Sequence, residues 1–156
     1  MIEPPNSAAV VVDASIVAMW VLPEPHSARA LALASNLLGS GIDLLAPPLM
    51  QAEVTNAVYK RVRRGEMDLD RAREALDIVA SFGVQILSTP DLYHSALDLA
   101  QRFGRSASYD ACYLALAESR GCEVWTGDER LYNAVRSELL WVRWIGSYSG
   151  ESNPGN

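Results

Sequence analysis

The chain has 156 residues, a formal net charge of −6, 49% apolar and 21% charged residues. That is room for one domain with a real core, and the acidic balance argues against a protein that holds nucleic acid by bulk electrostatics. The most apolar stretch, AAVVVDASIVAMWVL, is broken by Asp13 and Ser15, and the opening MIEPPNS lacks a basic n-region, so a cytoplasmic protein without a membrane segment is expected.

In chain order, residues 8–12 form a continuous apolar run rich in β-branched residues that suits a strand buried on both faces. A helical stretch over 15–21 is halted by Pro23 and Pro25, and helical spacing returns over 27–38 before Gly39 and Gly41. A short strand is predicted at 42–46, a long helix at 49–64 ending at Gly65, and another helix from 68 to 81. Residues 83–87 read as a strand and 90–103 as a helix with Pro90 near its first turn. The pattern closes with helix 109–120, strand 123–125, helix 129–135 and strand 140–145. Strands alternating with helices predict an α/β/α sandwich with a mostly parallel central sheet of about five strands. One domain is expected over 1–146, followed by a polar, Gly- and Ser-rich tail at 147–156 that is expected to be disordered.

Cys112 lies in an apolar helical pattern and Cys122 just before a strand, so both read as core residues rather than a disulfide. His26 and His94 have no partner at ligand spacing, which leaves no zinc signature.

The carboxylates are more informative. Asp110 and Asp128 each stand where a helix begins, and capping alone accounts for both. The architecture adds a geometric expectation. A helix of about ten residues from Asp110 travels roughly 15 Å, and a strand over 121–127 returns a comparable distance. Both acids should therefore reach one edge of the sheet. Asp13 directly follows the first strand and belongs at that edge, where open α/β sheets bind ligands. Glu53 lies on a polar stripe with Asn56 and Lys60 and is expected in its helix's first turn; taken alone, a solvated face is its commoner explanation. Clustered carboxylates repel unless a cation fills the pocket, and an all-oxygen set favours Mg²⁺, with Mn²⁺ as a substitute. That combination serves phosphodiester hydrolysis. Ser15 and Thr126 stand two residues from Asp13 and Asp128, placed either to cap or to orient a carboxylate. Lys60 is the sole lysine, and with Arg61, Arg63 and Arg64 it makes a local basic cluster. That cluster is either a solvated helix end or a phosphate contact.

The runs VVVDASIVAMWVLPEP, APPLMQAEVTNAVYKRVRRG and SYDACYLALAESRGCEVWTGDERL resemble the PIN-domain ribonucleases, particularly the VapC-type toxins of toxin–antitoxin pairs. The likeness extends to about Ile145, with four acidic motifs in the family's order. It implies a Mg²⁺-dependent endoribonuclease acting on RNA, a homodimer, and a small protein antitoxin that occupies the acidic groove. It implies Asp13, Glu53, Asp110 and Asp128 as catalytic acids, with Asp13 and Asp110 as direct metal ligands and Asn56 assisting. The Ala- and Leu-rich segment 14–38, which contains Trp20, reads as core packing or as apolar surface for a partner.

Other chemistries fit less well. A haloacid-dehalogenase-type phosphatase expects an Asp two residues after Asp13, where Ser15 stands, and a phosphoacceptor receiver expects a lysine after a late strand. The P-loop and dinucleotide fingerprints are absent. The rival from another class is a PIN-fold RNA-binding or scaffold module that does not cut. A scaffold has no physical reason to keep four mutually repelling acids.

Overall fold

The structure, a computed structural model, describes residues 8–150. Its sheet contains β1 (Ala9–Val12), β2 (Asp43–Ala46), β3 (Gln85–Ile86), β4 (Glu123–Thr126) and β5 (Val142–Trp144). Their spatial order is β3-β2-β1-β4-β5, and every pairing is parallel. The expected α/β layering is therefore present, and the sheet is wholly parallel. Parallel neighbours need a crossover, and helices supply each one: α1 (Ala14–Met19) and α2 (Ser27–Gly39), α3 (Leu49–Arg63) and α4 (Leu69–Ser81), α5 (Leu92–Arg102) and α6 (Tyr109–Arg120), and α7 (Glu129–Val135).

The β-branched run Val10-Val11-Val12 fills the centre of the sheet, where stiff side chains pack well on a pleated surface. Strand order reverses beside β1: the chain builds outward through β2 and β3, then crosses to β4 and β5. The backbone N–H of Asp13 donates to the Trp125 carbonyl at 3.2 Å, which ties the end of β1 to β4. The carboxyl end of the central strand thus lies at the switch point.

α6 is buried along almost its whole length, from Ala111 to Ala117, as an apolar helix held against the sheet must be. A smaller cluster of Ala18, Leu22, Val58, Ala72 and Ala75 packs α3 and α4 against the outer side of α1. Trp20 belongs to the main core: its ring stacks on Phe82 at 4.2 Å, and its indole N–H donates to the Ala30 carbonyl. The core reading of segment 14–38 holds for Trp20, whereas Leu31 and Leu38 remain exposed on α2. Cys112 is buried, and Cys122 packs beside the core without a disulfide.

Two strands are shorter than their sequence patterns. β3 begins only after Gly83, whose φ of 70° turns the chain out of α4. β5 begins after Leu140, which is exposed, because the Leu139 N–H still bonds back to Val135. The expected tail at 147–156 needs correcting at its start. Ser147 ends a 3₁₀ turn, Asn36 hydrogen-bonds the Tyr148 hydroxyl, and Arg29 donates to the carbonyls of Gly146 and Tyr148. Residues 151–156 of that tail lie outside the described residues. No helix among the described residues is long and apolar enough to cross a membrane.

Ile16 is fully buried, and its backbone N–H bonds the side chain of Asp13. Ile16→Ala is expected to cost about 2–5 kcal/mol in urea unfolding, because it opens a cavity directly beneath the end of β1.

Candidate active site

Of the non-aromatic polar side chains among the described residues, Asp13 and Thr126 are the buried ones, and they stand together at the switch point. Asp13 is the N-cap of α1, and its Oδ1 accepts from the Ile16 N–H at 3.1 Å and from the Ser15 hydroxyl. The Thr126 hydroxyl adds a further favourable contact. These bonds do not outweigh desolvation. Burial lifts the Asp13 carboxyl from 3.8 to about 6, and the Asp110 charge pushes the same way.

Ser15 does more than cap. Its Oγ donates to Asp13 while accepting from the Gly127 N–H at 2.8 Å, so it fastens the start of α1 to the β4–α7 turn. That turn needs glycine for space: a Cβ on Gly127 would stand 2.6 Å from the Met19 Cε and 3.0 Å from the Ser15 Oγ. Thr126 accepts from the Asp128 N–H at 2.9 Å, which fixes the other side of the turn.

Glu53 reaches the site from α3. Its expected place in the first turn is corrected: α3 begins at Leu49 and has no acid in that turn, so Glu53 sits one turn further in. A neighbour that sequence reasoning missed, Tyr113 on α6, donates its hydroxyl to the Glu53 Oε1 at 2.7 Å. Burial raises the Glu53 carboxyl, the Tyr113 bond partly offsets this, and the Asp110 charge adds to it. Tyr113 is itself pushed far above the ordinary phenol range by burial and by that carboxylate, so it remains a donor. Tyr113 follows Asp110 by three residues, which on a helix places both on one face; that spacing was the available signal.

Asp110 does not cap α6. The N-cap is Ser108, and Asp110 lies in the first turn with its Oδ2 3.2 Å from a terminal nitrogen of Arg105. Asp128, in contrast, is a true N-cap, accepting from the N–H groups of Arg130 and Leu131 at 2.9 and 3.1 Å. The structure therefore brings Asp110 within electrostatic reach of both Asp13 and Glu53. Asp128 shares their edge with its carboxylate turned to its own helix. Asn56 is exposed, one turn beyond Glu53 on α3.

The basic cluster divides. Arg61 is held between Glu24 and Glu66 at 3.0 and 3.1 Å, so it braces α3 against the α1–α2 loop. Lys60, Arg63 and Arg64 are exposed, the last two roughly 15 Å along the helix from Glu53. A cavity of about 1280 Å³ opens at the opposite edge of the sheet beside Ala9, Asn36, Ser119 and Trp141. Asp13, Glu53, Asp110 and Asp128 do not line it.

Among the described residues no three His, Cys, Asp or Glu side chains are gathered tightly enough to hold an ion. The reason is visible in their partners: Ser15 and Ile16 hold Asp13, Tyr113 holds Glu53 and Arg105 holds Asp110. The donor set nonetheless fits a hard divalent cation. It is all oxygen, it contains a carboxyl that burial lifts to about 6 and that a cation would restore to its charged form, and Mg²⁺ keeps several waters rather than demanding an all-protein cage.

Residues 10–137 match the PIN domain family. The chain belongs to the PIN-domain family. It is also similar to Ribonuclease VapC3 of Pyrobaculum aerophilum, with 32% identity over 124 residues, 78% of this chain and 91% of the relative. The crystal structure of PAE2754 from Pyrobaculum aerophilum shares the fold, with a TM-score of 0.66 at 24% identity, covering 92% of this chain and 94% of that one.

For this PIN domain the buried acid implies a measurable cost. Below about pH 4 the Asp13 carboxyl is protonated in folded and unfolded chains alike, and its burial costs little. Between there and about 6 only the folded state keeps the proton, so stability falls as pH rises; above 6 the full cost, on the order of 2–3 kcal/mol, is present. Asp13→Asn keeps a capping side chain and removes the charge. In chelator at pH 7.5 it is expected to raise the melting temperature by about 5 °C, with the gain vanishing near pH 4. Thermal melts at the two pH values check this.

Proposed function

We propose that the chain is a divalent-metal-dependent endoribonuclease, with Mg²⁺ as the preferred ion, that acts as the toxin of a toxin–antitoxin pair. The observation that carries the proposal is the convergence of Asp13, Glu53 and Asp110, from β1, α3 and α6, on the switch point of the sheet, with Asp13 buried there. A scaffold gains nothing from a buried carboxylate beside two others.

Asp13 and Asp110 would hold the ion, Asp13 by its rigid place at the end of β1 and Asp110 by its partial exposure on α6. Glu53 supplies a third carboxylate, kept in one orientation by Tyr113. When bound, a divalent ion stabilises charge on phosphoryl oxygens and acidifies a water for in-line attack. Ser15 and Thr126 keep the Asp13 carboxylate and the β4–α7 turn in register. Asp128 contributes by holding that turn through its cap, and Asn56 lies at the rim. Asp13 must lose its proton to take up the ion, so metal affinity should weaken as pH falls through and below about 6.

Lys60, Arg63 and Arg64 are the free cations we assign to RNA phosphate; Arg61 stays in its ion pairs. The partners we assign are RNA, a small protein antitoxin covering the acidic groove, and a second copy of the chain. Exposed apolar residues such as Tyr93 and Leu97, four apart on α5, support a homodimer. A cytoplasmic location goes with this reading. A second reading, a PIN-fold RNA holder that does not cut, has in its favour the absence of a pre-gathered ligand set among the described residues.

One assay separates the two readings. A panel of single-stranded RNAs is incubated with Mg²⁺ or Mn²⁺, with EDTA and Asp13→Asn as controls. Cleavage by the wild type, falling at least about a hundredfold in both controls, is the expected result. Binding without cleavage supports the holder, and cleavage surviving both controls removes the carboxylate mechanism. Neutralising Lys60, Arg63 and Arg64 together is expected to lower the slope of log affinity against log salt by about two. Arg61→Ala should leave the slope nearly unchanged.

A further inference from the structure

We propose that Arg105 is the phosphate-binding residue of the active site, resting on Asp110 until a divalent cation takes that carboxylate. The inference rests on the nuclease reading above and assigns within it a residue that the acidic pattern does not contain.

The backbone of Arg105 is fixed. α5 ends in a glycine-capped turn in which Gly104, at φ 60°, donates to the Gln101 carbonyl, and the Arg105 N–H reaches back to Ala100 at 2.9 Å. This double bond pattern holds Arg105 at the end of a packed helix, five residues before Asp110. Its side chain is 20% exposed, so a ligand reaches it while bulk water largely does not.

The guanidinium is poorly satisfied where it rests. It meets Asp110 through one terminal nitrogen at 3.2 Å, not through the two-pronged contact that Arg makes with a carboxylate when geometry allows. Its Nε is buried with no hydrogen-bond partner. A buried, unpaired donor on a cation is costly, and such groups call for an explanation. A phosphodiester presents several acceptor oxygens to a planar fork of donors, which is what this guanidinium lacks.

Among the described residues no other cation forms an ion pair with Asp13, Glu53, Asp110 or Asp128. Arg61 is occupied by Glu24 and Glu66, and the exposed cations of α3 lie along the helix from Glu53. Arg105 is the cation in direct contact with the acid group among the described residues. A metal ion and Arg105 compete for the same oxygen of Asp110. Charge neutralisation of the acid by the ion leaves the guanidinium free, beside the place where substrate phosphate must lie.

The test uses the full chain and two binding readouts that do not depend on turnover. Mn²⁺ is titrated calorimetrically without RNA. A labelled single-stranded RNA 12-mer is then titrated with Ca²⁺ present, at several salt concentrations. Arg105→Gln should bind Mn²⁺ several-fold more tightly than wild type, because its competitor is gone. It should bind RNA about tenfold more weakly, the order for lost hydrogen bonds to a charged group, with a salt slope lower by about one. Arg105→Lys, which keeps the charge without the fork, should restore the slope but not the full affinity; it also serves if the Gln variant does not fold. Weaker Mn²⁺ binding by Arg105→Gln would mean that Arg105 merely holds Asp110 in place and would overturn the proposal. So would a wild-type RNA affinity and slope. A wild type that takes up neither Mn²⁺ nor RNA overturns the nuclease reading and this inference together, whereas normal wild-type binding with unaffected variants overturns this inference alone.

Discussion

A carboxylate buried at the carboxyl end of the central strand is the constraint around which the rest of the site is arranged. Asp13 sits between α1 and β4 with its oxygens turned to Ser15, Ile16 and Thr126, and the desolvation it suffers exceeds what those bonds return. The position cannot be moved outward: the N–H of Asp13 is committed to Trp125, and Ile16 behind it is fully buried. A fold that places an acid there accepts lower stability at neutral pH in exchange for a group that a cation stabilises at once.

The other acids are held by different means, which explains how they coexist. Glu53 is half-buried and has a neutral donor, Tyr113; Asp110 is more exposed and has a cation, Arg105. Asp128 is close in the backbone yet satisfied by two helix N–H groups. The repulsion expected of four clustered carboxylates is therefore met by a separate set of local partners at each acid. Each partner also fixes a direction, so the site is preorganised one carboxylate at a time, without a closed cage.

Much of this was legible in the sequence, for identifiable reasons. The valine run at 10–12 and the fully apolar face of α6 leave no alternative to a buried parallel strand and a covering helix. Helix 109–120 and helix 129–135 match to the residue because their ends carry strong signals, Gly121 after one and Asp128 before the other. The acids' shared edge follows from topology, since a helix out and a strand back must return to it. Roles depending on side-chain direction were less visible. Asp110 and Asp128 look alike as caps, yet only Asp128 caps, because α6 begins at Tyr109 and leaves Asp110 inside its first turn, where it meets Arg105. Arg61 looks like its exposed neighbours until Glu24, thirty-seven residues earlier, is seen to hold it. Long-range pairing of this kind leaves no local pattern.

The net charge of −6 is at first sight wrong for a protein that acts on a polyanion. Screening resolves the difficulty: beyond about 8 Å at physiological ionic strength the acidic surface is largely hidden from an approaching strand. On the contacts proposed above, what the strand meets is local. On one side are Lys60, Arg63 and Arg64, at the end of a helix whose dipole favours cations there; at the acids is Arg105. An acidic body with few, placed cations has weak affinity for RNA in general. On the function proposed above, binding depends on the strand lying across both places at once, with its phosphate over the acids when a metal ion is there to receive it. On this arrangement the negative charge is itself a source of selectivity, because it removes the non-specific binding that a basic surface would supply.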